Sequence, residues 1–160
     1  MPHAGSVIPF TKLFKLTIAG GLAFWVTSVA TSLLPIAAEY RAALSNWSPQ
    51  AVWVGSVIAG MMIACGVSYF SVRSMGKTPK GAPLLTAVNW SLVALVIATI
   101  LLDVPRSIHG PSDALYYFLI GLVFNAVRFL VLGMVIGSVL KRQYGAARPS
   151  GYSPVKGDTK

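Results

Sequence analysis

The chain has 160 residues, 55% of them apolar and only 11% charged, and its mean hydropathy is +0.70. Soluble domains carry about a quarter charged residues, so the composition argues strongly against a water-soluble globule. Thirteen Lys and Arg against four Asp and Glu give a net charge of +9, which in so apolar a chain reads as membrane topology and not as a nucleic-acid interface.

Residues 1–15 form a short segment with Lys12 and Lys15 at its end. Four apolar stretches follow, about 16–37, 51–72, 84–102 and 115–140, each near the 20 residues of helix that cross a hydrocarbon core. The first three hold no ionisable side chain and the fourth holds one, Arg128. Their apolar residues run round the whole helix, and the ten-residue alternation of barrel strands is missing. Since every backbone N–H and C=O must be satisfied inside hydrocarbon, the expected fold is all-α: a polytopic membrane protein with four transmembrane helices in an antiparallel bundle. The first stretch also fits a cleavable signal peptide by its position, but it is too long for an ordinary one.

Punctuation supports the boundaries. Pro35 kinks or ends the first span. Ser48-Pro49 caps the second, Pro83 opens the third, and Gly110-Pro111-Ser112-Asp113 forms a turn and cap before the fourth. Residues 141–160, rich in Gly, Pro and Ser, read as a disordered basic tail, and contact of its positive charges with anionic lipid headgroups is one expectation.

Ten Lys and Arg fall on one side of the spans: Lys12, Lys15, Arg73, Lys77, Lys80, Lys141, Arg142, Arg148, Lys156 and Lys160. The other side has Arg41 and Arg106. By the positive-inside rule both termini are cytoplasmic, in a cell (inner or plasma) membrane.

Lipid gives no hydrophobic drive for helix association, so small residues must pack closely. Ser56, Gly60, Ala64 and Ser68 recur at four-residue spacing in the second span, and Gly133 and Gly137 form a GxxxG pair in the fourth. Both mark helix packing, within one chain or between copies.

Arg128 lies roughly 20 Å from either end of its span by helical rise, where an arginine costs about 2.5 to 3.5 kcal/mol on insertion scales. It should therefore face protein or water. Asn125 is one turn away, and matching depths from the outer boundary brings Thr27, Ser28 and Thr31 of the first span level with it. On that count Glu39, Asp103 and Asp113 stay at the boundary, so no carboxylate is expected at the depth of Arg128. Arg128, Asn125, Thr27, Ser28 and Thr31 make a candidate polar pocket with net positive charge, suited to an anion or a small polar solute. The same residues equally suit interhelical bonding or the docking of an acidic partner helix.

Other chemistry finds no foothold. His3 and His109 fall on opposite sides of the membrane and cannot share a metal. Cys65 lacks a partner and reads as a small buried apolar residue, and neither a nucleophile motif nor paired carboxylates appear. No catalytic site, metal or cofactor is expected. The leading functional expectation is a small transport or channel protein, or the membrane component of one, acting as an oligomer or with a second subunit. The alternative is a non-catalytic assembly subunit of a larger membrane complex.

Overall fold

A computed structural model describes residues 10–44, 48–75, 83–105 and 113–145 of the chain. These residues are helical: α1 (Phe10–Ser32), α2 (Pro35–Leu44), α3 (Pro49–Ser74), α4 (Pro83–Ala98), a π-helical segment (Thr99–Asp103) and α5 (Ala114–Gly145). Four stretches are long and apolar enough to span a membrane: Phe10–Ser32, Gln50–Ser74, Pro83–Leu101 and Ala114–Gln143. The large apolar side chains they leave exposed, among them Val26, Ile58, Met62, Val96, Leu119 and Val123, are those a lipid bilayer would cover.

The first helix departs from the boundaries read in the sequence. It is already helical at Phe10, inside the segment assigned to residues 1–15, and ends at Ser32, short of residue 37. Pro35 is the cause. It has no N–H to give the Thr31 carbonyl, which accepts instead from Leu34 N, while Ala30 O accepts from Leu33 N, both at 3.3 Å. A second helix then starts at Pro35 itself, where the missing N–H costs nothing. The Ser32 carbonyl takes a hydrogen bond from Arg41 Nη1 at 3.3 Å, and the Ser32 hydroxyl accepts one from Trp53 Nε1 at 3.3 Å. The end of α1 is thus closed by α2 and α3 together.

Ser48 caps α3, its hydroxyl accepting from Ala51 N at 3.3 Å, with Pro49 at the first helical position. Replacing Ser48 by alanine is expected to destabilise the protein by about 1 kcal/mol, measurable as an earlier midpoint in detergent-titration unfolding. At the far end of the chain α5 runs to Gly145, five residues into the segment assigned to the tail. The rest of that tail and the Gly110-Pro111-Ser112 turn lie outside the described residues.

The core is built around α5, which packs on α1 and α4, while α1 packs on α3 and, less extensively, α4 packs on α3. A Cβ added at Gly20 would meet both Ala64 and Ile136, which fixes one level across α1, α3 and α5. Towards the end bearing Lys12, Lys15, Arg73, Lys141 and Arg142, called here the basic end, Gly137 lies against Leu84 and Trp90 Nε1 donates to the Ser74 hydroxyl at 3.0 Å. Towards the opposite end, Gly60 meets Phe24, and Phe24 sets its edge against Phe129 with ring centroids 5.6 Å apart. Leu132, Ile136 and Leu140 continue this apolar centre along α5, all fully buried.

The small residues singled out in α3 and α5 have defined places. Gly60, Ala64 and Ser68 are buried, with α1 against Gly60 and Ala64, whereas Ser56 is half-buried and turns its hydroxyl back to the Trp53 carbonyl at 2.8 Å. Gly133 and Gly137 are buried against α4, at Val88 and Ser91 for the first and Leu84 for the second. Cys65 corrects the sequence reading: it is exposed, not buried. It follows the core-facing Ala64, and one residue is about 100° of helical rotation, enough to leave the packed face.

Candidate functional site

Three elements bring polar groups together in the half of the protein away from the basic end. Arg128 of α5 donates from Nη2 to Thr31 Oγ1 of α1 at 3.0 Å and from Nη1 to Asn125 Oδ1 at 3.4 Å. Asn125 in turn donates from Nδ2 to Asp103 Oδ2, on the π-helical segment, at 3.0 Å. The chain Thr31, Arg128, Asn125, Asp103 therefore joins a hydroxyl, a cation, an amide and a carboxylate across α1, α5 and the extension of α4. All four residues are partly buried.

The amide orientation has a physical reason. An asparagine offers an acceptor at one corner and donors at the other. With Oδ1 towards the guanidinium and Nδ2 towards the carboxylate, both contacts are charge-assisted; the flipped amide would set donor against donor and acceptor against acceptor. Asp103 also reaches the guanidinium electrostatically, as does Tyr40 of α2. Tyr40 is placed by packing: its ring lies edge-on to Phe124 at 6.3 Å, and its hydroxyl occupies the space a side chain at Gly121 would need.

Asp103 reaches this cluster although the depth count leaves it at the boundary: it bonds to Asn125, one turn towards that boundary from Arg128. Its position depends on the π-helical segment, where Val104 N donates to the Thr99 carbonyl five residues back. A π turn takes in an additional residue and so rotates everything beyond it relative to the core-facing Ser91 and Leu95. Among the residues expected in the pocket, Asn125 and Thr31 join Arg128 directly. Thr27 and Ser28 do not: their hydroxyls turn back to the Ala23 and Phe24 carbonyls, both at 2.8 Å. This is the usual resting place of a hydroxyl in an apolar helix. Thr31 does the same, donating to the Ser28 carbonyl at 3.1 Å, and so offers Arg128 only an oxygen lone pair.

One nitrogen of the guanidinium is left over. Arg128 Nε is buried and has no hydrogen-bond partner among the described residues. Its N–H can therefore donate to a further acceptor, and the positive charge of the site is matched by a carboxylate that bonds to it through Asn125. No group of three or more His, Cys, Asp or Glu that could hold a metal occurs among the described residues. Comparison of the chain with protein-family models, with curated proteins and with solved structures finds no match.

Proposed function

We propose that this is a multi-pass protein of the cell membrane that passes a small polar or anionic solute, on its own as an oligomer or as the membrane component of a larger transporter. In this reading the four spans are antiparallel, both termini are cytoplasmic, and the basic end faces the cytosol. The excess of Lys and Arg at that end supports the orientation. So does the order of contacts, in which Leu84 near the start of α4 meets Gly137 near the end of α5, while Asp103 beyond α4 meets Asn125. The proposal includes no catalytic step and no cofactor.

The observation that carries the solute reading is the unspent Nε donor of Arg128, buried beside a guanidinium whose other two nitrogens are held in place. A buried donor without a partner costs about 1–3 kcal/mol, which an incoming acceptor would recover. A second reading has its own support. Thr31, Asn125 and Asp103 already draw three elements together, so the cluster also serves as an interhelical clasp in a non-catalytic assembly subunit.

Purified protein in proteoliposomes separates the two. Under a chloride or an acetate gradient, wild type is expected to dissipate the gradient and the double variant Asp103→Asn, Arg128→Met, which removes the guanidinium without stranding the carboxylate, to lose that activity while keeping its folded yield. Absence of flux from wild type, together with co-purification of an acidic membrane partner that Arg128→Ala loses, would favour the assembly reading.

A further inference from the structure

The chain does not run straight out of α1. Pro35 interrupts the helix, and Leu33 N and Leu34 N bond three residues back, to Ala30 O and Thr31 O, both at 3.3 Å. The helix that follows, α2, turns most of its residues outward: Pro35, Ile36, Ala38, Glu39 and Ala42 are exposed, while Ala37 is buried. Leu33 and Leu34 at the break are exposed as well, at 74% and 46%, so little packing holds the bend at one angle.

Tyr40 fastens this helix to α5. Its ring stands edge-on to Phe124 with centroids 6.3 Å apart, and its hydroxyl enters the notch at Gly121, where a built Cβ would come within 2.7 Å of it. Gly121 lies four residues from Asn125 and seven from Arg128, away from the basic end, so at about 1.5 Å per residue the phenol sits roughly 6 to 10 Å outward of the cluster. There it still reaches the guanidinium electrostatically. The approach from the basic end is filled by the buried Phe24, Phe129, Leu132 and Ile136, which leaves the side that Tyr40 occupies.

We propose that Tyr40 is a gate on the Arg128 site: seated at Gly121 it closes the approach from the end away from the basic end, and a swing of α2 about residues 32–35 withdraws it. The parts suit the motion. A short helix joined through a proline break turns as a unit, because the few residues at the break absorb the change in backbone angles. Glycine makes the seat, since a side chain at position 121 would expel the phenol. A phenol suits both positions, its ring packing on Phe124 when shut and its hydroxyl bonding to water when withdrawn. The gate rests on the solute reading for its purpose and adds the route by which solute reaches Arg128, but its test reads access and not flux.

The test is thiol labelling of the full chain in open membrane fragments. In a Cys65→Ala background, Thr31→Cys sets a thiol beside the guanidinium, a setting that favours the reactive thiolate, and the probe is the anionic reagent 2-sulfonatoethyl methanethiosulfonate. With Tyr40 in place labelling is expected to be slow. Tyr40→Ala and Gly121→Val are each expected to speed it roughly tenfold or more, whereas Tyr40→Phe, which keeps the ring, leaves it slow, and all variants react alike after denaturation in SDS. Tyr40→Ala and Gly121→Val labelled no faster than the parent would overturn the gate, as would a parent labelled as fast in the membrane as in SDS. Should Thr31→Cys fail to fold, hydrogen exchange on the chain with its native Thr31 decides. Gly121→Val is then expected to speed exchange of the α2 amides roughly tenfold and to leave those around Val88 and Gly133 unchanged; equal exchange in α2, or acceleration throughout the bundle, would mean that Tyr40 is a fixed packing contact. A gate that opens in a protein carrying neither chloride nor acetate would stand while the solute reading fell.

Discussion

Gly133→Leu and Gly137→Leu are each expected to abolish accumulation of folded protein in the membrane, whereas Gly66→Leu leaves it unchanged. The contrast follows from what a side chain would meet. A Cβ at Gly137 would sit 2.7 Å from Leu84 Cα and 3.1 Å from the Leu84 carbonyl oxygen, and one at Gly133 would sit 2.9 Å from Val88 Cα while colliding with the Ser91 hydroxyl. Most of these obstacles are backbone, which cannot swing aside as a side chain does. Overpacking by even a few methylenes costs about 1–3 kcal/mol in a well-packed core, and here the whole of α4 must retreat. Its contacts with α5 go with it, because close approach of backbones is what replaces the hydrophobic drive between helices in lipid. Gly66 meets nothing within 4 Å of a built Cβ, so a leucine there only adds to the apolar outer surface. Size-exclusion profiles in mild detergent would read all three variants side by side.

The same glycine row explains what could and could not be read from the sequence. The four spans were legible because length and composition alone decide them, and small residues at four-residue spacing marked the faces of α3 and α5 that the helices use. Arg128 with Asn125 and Thr31 was legible as well, since an arginine so far from both ends of its span must be satisfied by what lies level with it. Asp103 was not, and the reason is register. Counting depth from the outer boundary set the end of the third span level with the start of the fourth, although one stretch is 19 residues long and the other 26. Counting instead from the opposite ends, residue 84 against residue 140, places Asp103, 19 residues on, level with residue 121, one turn from Asn125. The Gly133 and Gly137 contacts with Val88 and Leu84 fall between the two alignments, and the Asp103 bond to Asn125 lies beyond both. The π-helical segment and the back-bonded Thr27 and Ser28 had no signal in spacing: helical period specifies which face a residue occupies, not whether its hydroxyl prefers its own backbone.

Removing the two charges of the cluster one at a time is expected to hurt the protein more than removing them together. Asp103→Asn leaves the guanidinium without its carboxylate, and Arg128→Met leaves the carboxylate without the guanidinium. In a buried setting a charge stripped of its partner costs about 3–5 kcal/mol. Interhelical hydrogen bonds within membranes average nearer 0.6 kcal/mol, so a loss well above that value in either single variant identifies the electrostatic component. The hydrogen-bonded link runs through Asn125, with 3.4 Å on the arginine side and 3.0 Å on the aspartate side, so Asn125→Leu should remove that link and leave the Asp103 and Arg128 cycle with only their through-space attraction. The double variant Asp103→Asn, Arg128→Met retains Asn125 and Thr31 as neutral partners and is expected to recover at least half of the summed single losses in detergent-titration unfolding. Flux separates what stability cannot: if the Arg128 Nε donor serves a solute, the double variant stays folded yet carries neither chloride nor acetate, whereas a pure clasp would leave any flux as intact as the fold.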